Sequence, residues 1–421
     1  MHVLLVNTAE KAGGAAIAAS RLTDALNLYG VKATLLVRDI QTSRITTTRV
    51  PHSGLQGLWL RWAFLWERAC IWMTNRFRRR GLWEVDIANV GTDITRLPAF
   101  QQADIIHLHW VNQGFLSLHQ IGKILQSGKP VVWTMHDMWP CTAICHHARA
   151  CEHYYICCHD CPQLAAPSPH DLSWQVFQKK LRTYSQGNLV LVGCSQWITE
   201  QARKSRLLQG HRVLSIPNTY DPRVFIPGDQ TEARRHHLLP LQGRLLLFAC
   251  QKVTNERKGF ALLIEALNSP RLQAWRGQLS LVVVGQMAES VAAKIPFPIH
   301  ALGYLHGDAE MAALYRAVDV FVTPSLEENL PNTIMESMAC GTPCVGFDIG
   351  GIPEMIDHEA NGYVARYRDA SDLASGISFT LDPERHALLS QAAARKAHTS
   401  WKQETVARQY HDLYESLLST P

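Results

Sequence analysis

Short apolar runs recur along the chain and are continuous rather than alternating: HVLLVN (2–7), VKATLLVRD (31–39), ADIIHLHW (103–110), KPVVWTM (129–135) and NLVLVG (188–193). Runs of this kind suit strands buried on both faces, as in a parallel sheet. After the first comes KAGGAAIAASRLTDAL, a Gly loop opening a helical stretch. Strand, Gly turn, helix and strand in succession mark a doubly wound α/β domain. The rhythm starts again at RLLLFACQK (244–252), LSLVVVGQM (279–287), IHALGYLH (299–306) and VFVTPS (320–325). Between the two sets, around VLSIPNTYDPRVFIPG (213–228), proline and glycine become frequent, as between domains. The pattern predicts an α/β protein with Rossmann-like domains over 1–217 and 218–395. Residues 372–397 are helical in composition, and an amphipathic helix closes the chain over 396–421.

One stretch breaks the rhythm. LQGLWLRWAFLWERACIWMTNRFRRRGLW (55–83) holds Trp59, Trp62, Trp66, Trp72 and Trp83, with six arginines against one glutamate. Helical spacing puts Trp59, Trp62 and Trp66 on one face. Tryptophan with arginine suits a membrane interface, where rings sit at headgroup depth and cations meet anionic lipid. The other reading is a helical insertion packing its aromatic stripe onto the domain.

Composition narrows the class. At 421 residues, 47 % apolar and 18 % charged, the chain is globular and long enough for more than one core. A net charge of +5 does not argue for a nucleic-acid partner. No cationic n-region precedes the first apolar run and no long uncharged apolar segment occurs, so the expected location is cytoplasmic, with any membrane association at the inner face. Six of eleven cysteines fall between Cys141 and Cys161. In a cytosolic chain such clustering favours metal or redox chemistry over disulfides. Cys145, Cys151, Cys158 and Cys161 suit a structural tetrahedral Zn2+; reduced buried thiols or a disulfide are the alternatives.

The densest chemistry is TPSLEENLPNTIMESMACGTPCVG (323–346), which reads as strand end, loop, helix and strand, with Asn332 expected at the N-cap. A loop feeding a helix N-terminus suits phosphate, and the carboxylates Glu328 and Glu336 suit hydroxyl-rich ligands. Phosphate with hydroxyls describes a nucleotide sugar. In the first half, Gly13 and Gly14 either admit a phosphate to the backbone or only form a tight turn. His107, His109 and His136 lie at strand ends, where an α/β sheet places its cleft. His136 either faces a ligand or only fixes its loop through Asp137.

The spacing of Glu328 and Glu336 (E-x7-E), the ACGTPCVG strand, the following GGIPEMIDHEANGYVA (350–365) and the IPN linker resemble family 4 nucleotide-sugar-dependent glycosyltransferases of the GT-B fold. HDMWP followed by a Cys-rich loop and CPQL resembles a subgroup found in bacterial polysaccharide biosynthesis. The resemblance implies two Rossmann-like domains facing a central cleft, with the last helix crossing back to the first domain. It implies a retaining hexosyltransferase-like enzyme, metal-independent in catalysis, that uses a UDP- or GDP-sugar and a glycan or lipid-linked glycan acceptor. On that resemblance Lys258 and Lys252 hold the donor diphosphate. Glu328 and the backbone of Asn329, Leu330, Pro331 and Asn332 hold the donor sugar, and Glu336 holds the ribose. Gly13 and Gly14 face the diphosphate or acceptor, and His136 lies near the transferred sugar. Two other classes stay open: a glycoside hydrolase using Glu328 and Glu336 as an acid–base pair, and a non-catalytic scaffold binding glycan or membrane through 55–83.

Overall fold

The computed structural model describes residues 1–51 and 54–419. They divide into two compact units, Met1–Asn218 with Val406–Pro421, and Thr219–Thr405.

The first unit carries β1 (His2–Ala9), β2 (Lys32–Asp39), β3 (Thr47–Arg49), β4 (Ile105–Leu108), β5 (Val131–Met135), β6 (Leu189–Gly193) and β7 (Arg212–Ser215). All pair in parallel in the order β3-β2-β1-β4-β5-β6-β7. Side chains along β1 alternate between two cores: Leu4 and Val6 enter one, Val3 and Leu5 the other. Both faces are therefore covered, which is why these strands read as unbroken apolar runs. The helices Gly14–Leu28 and Gln403–Leu418 supply Ala19, Leu22 and Leu26, and Val406, Tyr410, Leu413 and Tyr414, to the second of those cores.

The second unit repeats the plan with β8 (Arg244–Lys252), β9 (Leu279–Gln286), β10 (Ile299–Gly303), β11 (Val320–Thr323), β12 (Cys344–Phe347) and β13 (Gly362–Ala365). These too are all parallel, in the order β10-β9-β8-β11-β12-β13. In each sheet the strand order reverses once, between β1 and β4 and between β8 and β11. Loops leaving the carboxyl ends of strands at such a point diverge and leave room for a ligand.

Four details differ from the sequence reading. The chain passes between units after Asn218 and Thr405, not after residues 217 and 395. The last helix is Gln403–Leu418, and Thr420 and Pro421 lie outside the described residues. The stretch 372–397 is two helices, Ala370–Leu381 and Pro383–Ser400. Pro383 cannot donate to the preceding turn but fits at N1, so Asp382 caps a new helix. Finally, Asn332 is the first helical residue rather than the N-cap. Pro331, whose ring holds φ at −68°, occupies that position, and no side chain caps the helix Asn332–Ala339.

Candidate functional site

Three loops leaving β8, β11 and β12 are stitched together in the second unit. The Leu326 N–H donates to the Arg257 carbonyl at 2.7 Å, and the Gly351 N–H donates to the Asn329 carbonyl at 2.8 Å. Gly259 makes the first approach possible. Its φ is +66°, and a Cβ there would stand 1.8 Å from the Pro324 carbonyl oxygen. Only glycine fits both the left-handed conformation and that distance.

The stitching sets Lys258 against Glu328. Lys258 Nζ lies 3.0 Å from Oε2 and 3.4 Å from Oε1, both side chains part-buried. Cation and carboxylate thus meet beside the β8/β11 switch point. Asn329, Leu330 and Pro331 are buried behind Glu328 and lead into the helix Asn332–Ala339. Glu336, also buried, accepts a hydrogen bond from the Tyr315 hydroxyl at 3.2 Å. Burial, and then the Glu336 charge, push the Tyr315 phenol well above its ordinary range. Lys252 stands exposed at the end of β8, after a register shift between Ala249 and Lys252.

In the first unit, Gly13 (φ +90°) caps the helix Gly14–Leu28, and both glycines are exposed in the loop after β1. His136 follows β5, and its Nε2 lies 2.9 Å from Nδ1 of His109, which follows β4. His107 lies against His109 with ring centroids 4.3 Å apart and the rings tilted by 34°, and His109 stacks on His136. His107 lies 2.7 Å from both the Tyr414 hydroxyl and the Thr134 hydroxyl. Burial, with mutual repulsion, pushes His107 down to about 3 and His109 well below its ordinary value. Burial likewise pushes His136 down to about 4. The stack is therefore neutral when folded, whereas the same side chains in an unfolded chain take protons near 6.5. The unfolded state then binds more protons at acid pH, so stability is complete above about 6.5 and falls as pH drops toward 4. Thermal melts between pH 7 and 4 are expected to show that loss, and a His107→Phe variant should lose less.

Beside the stack, Asp137 accepts from Trp110 Nε1 at 2.9 Å and meets His146 Nδ1 at 2.7 Å. His146 Nε2 lies 2.6 Å from Asp86, which is bonded to Arg68, and Arg68 pairs with Glu67 at 3.3 Å. Burial opposes charge on His146, but Asp137 and then Asp86 outweigh it and raise the imidazole to about 10. Sequence spacing gave no hint of the His146 links, because they reach Asp137 across nine residues and Asp86 across sixty.

Cys145, Cys151, Cys158 and Cys161 line one small cavity of about 20 Å3, with His153 and His159 also on its wall. No disulfide joins them. Burial, then a Thr142 bond that opposes it and the Cys151 thiol, leave Cys145 raised to about 11. Burial raises Cys161 to about 12. Four sulfur donors around one cavity fit the donor set of Zn2+, which would ionise the thiols. The spacing is looser than the ion requires. Among the described residues only His236, His237 and Glu310 bring three ligand atoms within 4.8 Å of one another.

Residues 243–382 match the family model described as Glycosyl transferases group 1. N-acetyl-alpha-D-glucosaminyl L-malate synthase of Bacillus anthracis is 24 % identical over 49 % of this chain and 54 % of its own length. The chain thus spans about half the length of that curated relative. Sucrose-phosphate synthase of Thermosynechococcus elongatus superposes with TM-score 0.69 at 17 % identity, covering 100 % of both chains. Anabaena HepE in complex with UDP-glucose gives 0.64 at 15 % identity, covering 99 % of this chain and 100 % of that one. The fold is GT-B, and residues 243–382 are similar to the group 1 glycosyl transferases. Within that stretch stand Lys252, Lys258, Glu328, Glu336 and the 329–332 backbone; Gly13, Gly14, His136 and the quartet Cys145, Cys151, Cys158 and Cys161 lie outside it.

Proposed function

We propose that the protein is a glycosyltransferase that moves a sugar from a nucleotide-sugar donor to a glycan or lipid-linked glycan. Transfer proceeds with retention, in the cytoplasm, during cell-surface polysaccharide biosynthesis. The observation that carries this reading is the Lys258–Glu328 pair at the β8/β11 switch point of a group 1 domain. A departing nucleoside diphosphate gathers negative charge. Fixed cations beside it lower the barrier without a metal, a role assigned to Lys258 and Lys252. Glu328 accepts hydrogen bonds from the donor sugar, supported by the 329–332 backbone, and Glu336 from the ribose. Gly13 and Gly14 offer backbone N–H groups to the diphosphate or acceptor. His136, held neutral by its setting, is suited to accept or donate a single hydrogen bond near the transferred sugar.

The hydrolase alternative lacks a supporting feature. Glu328 is met by a lysine and Glu336 by a tyrosine. The cysteine quartet is read as the set of residues that would hold a structural Zn2+.

A thermal-shift screen with UDP-, GDP- and ADP-sugars tests the donor reading. Saturation at 100 times Kd stabilises a binding protein by about 2.7 kcal/mol, so a rise of roughly 5–10 °C is expected for one base alone. No shift with any of the three would remove the proposal.

A further inference from the structure

The helix Leu55–Thr74 is turned inside out for a water-facing surface. Its inward side holds Leu60, Ala63 and Ile71, but also the charged Glu67, 0 % exposed, and Arg68. Glu67 accepts from the Ile87 and Ala88 backbone N–H groups at 2.8 and 2.7 Å, and Arg68 donates to the Leu82 and Val85 carbonyls and to Asp86. Close packing fixes this register: a Cβ on Gly114 would stand 2.7 Å from the Phe64 nitrogen. With its charges committed inward, the helix presents Leu58, Trp59, Trp62, Leu65, Trp66, Trp72 and Met73 outward. The indoles of Trp59, Trp62 and Trp66 are 44, 44 and 42 % exposed. They stack in a ladder with centroids 4.9 and 5.4 Å apart. Arg61 is the one charged residue on that outward side. Beyond the helix end, Arg76, Phe77, Arg78, Arg79, Arg80 and Trp83 are all exposed.

We infer that this face docks on an anionic lipid surface, the indoles at headgroup depth and the arginines against lipid phosphates. Continuous apolar area of this kind marks an interaction site rather than an ordinary surface. Tryptophan is the side chain suited to the boundary between acyl chain and headgroup, and neighbouring cations gain from negative lipid. The charge argues against a second copy of the chain, since a two-fold contact here would bring the arginines of both copies together. No helix among the described residues is long and apolar enough to cross a membrane, so the contact lies in the interface plane. The inference stands apart from the proposed activity.

The test is flotation of the full chain with vesicles of phosphatidylglycerol and phosphatidylcholine, or of phosphatidylcholine alone. Binding is expected to the anionic vesicles, falling by about tenfold or more on neutral ones and in about 0.5 M NaCl, where charges are screened within a few ångströms. Trp62→Ser with Leu65→Ser and Trp66→Ser, and separately Arg76→Gln with Arg78→Gln and Arg79→Gln, should each lose binding by a similar factor while melting like the parent. The inference is overturned if the parent stays unbound on anionic vesicles or if both folded variants bind as it does. It is also overturned if sedimentation shows the tryptophan variant losing a dimer rather than vesicle binding.

Discussion

Glu328→Ala is expected to lower kcat/KM for sugar transfer by about 10²-fold or more, the scale for removing one polar group aimed at a reacting centre. The melting temperature should barely move. The Lys258–Glu328 pair is part-buried, with side-chain exposures of 35 and 16 %, and such pairs are worth about 0–1 kcal/mol to stability once solvent screening is counted. A large loss of rate with little loss of fold separates an enzyme from a scaffold that holds the same residues in place. Glu328→Gln sharpens the point, because it keeps an acceptor oxygen but loses the charge that faces Lys258. If the alanine variant transfers sugar at the parent rate once a donor is known, the assignment of Glu328 fails. If nucleotide binding persists in that variant, the rest of the donor site stands.

The second large effect concerns the cysteines. Purified protein is expected to carry Zn2+ in a one-to-one ratio, released by a thiol-blocking mercurial. Cys158→Ser combined with Cys161→Ser should abolish retention and lower the melting temperature by about 10 °C or more. A bound structural ion supplies folding free energy on the order of 10 kcal/mol in small domains, and a unit of this size shifts by roughly 2–4 °C per kcal/mol. Two buried thiols without an ion would cost far less, since each substitution then only exchanges sulfur for a hydroxyl. A metal-free protein with a nearly unchanged melt would leave the quartet as buried thiols around a cavity. That outcome would fit the loose spacing of the sulfurs.

The parts of the fold that could be read in advance share one physical property. A parallel strand covered on both faces must be apolar throughout, so β1, β2, β5, β6, β8 and β9 announce themselves as runs. That Trp59, Trp62 and Trp66 share one face was equally legible, because it depends only on helical spacing; that their rings stack came from the structure. Which way the ladder points was not legible. That depends on Glu67 finding the Ile87 and Ala88 N–H groups and Arg68 finding Asp86, pairings made across the chain. The site divides in the same way. Glu328 and Glu336 were visible through their spacing, but the partners Lys258 and Tyr315 lie seventy and twenty-one residues away. Asn332 was misplaced by one position because proline, with its fixed φ, serves as well before a helix as a capping side chain does. The joining of His107 to Tyr414 crosses 307 residues, and its only local trace was the i, i+4 spacing of Tyr410 and Tyr414.

That last contact bears on how the chain is made. The first unit is closed by Val406, Tyr410, Leu413 and Tyr414, residues that leave the ribosome after the whole of Thr219–Thr405. A growing chain therefore meets the usual order in reverse: the uninterrupted later unit can finish folding while the earlier one still waits for its final helix. Until then one face of the β1–β4–β5 sheet lacks its tyrosines, and His107 lacks the hydroxyl of Tyr414. Removing the last fifteen or so residues would thus leave the amino-terminal half unfinished, and the Thr219–Thr405 unit intact.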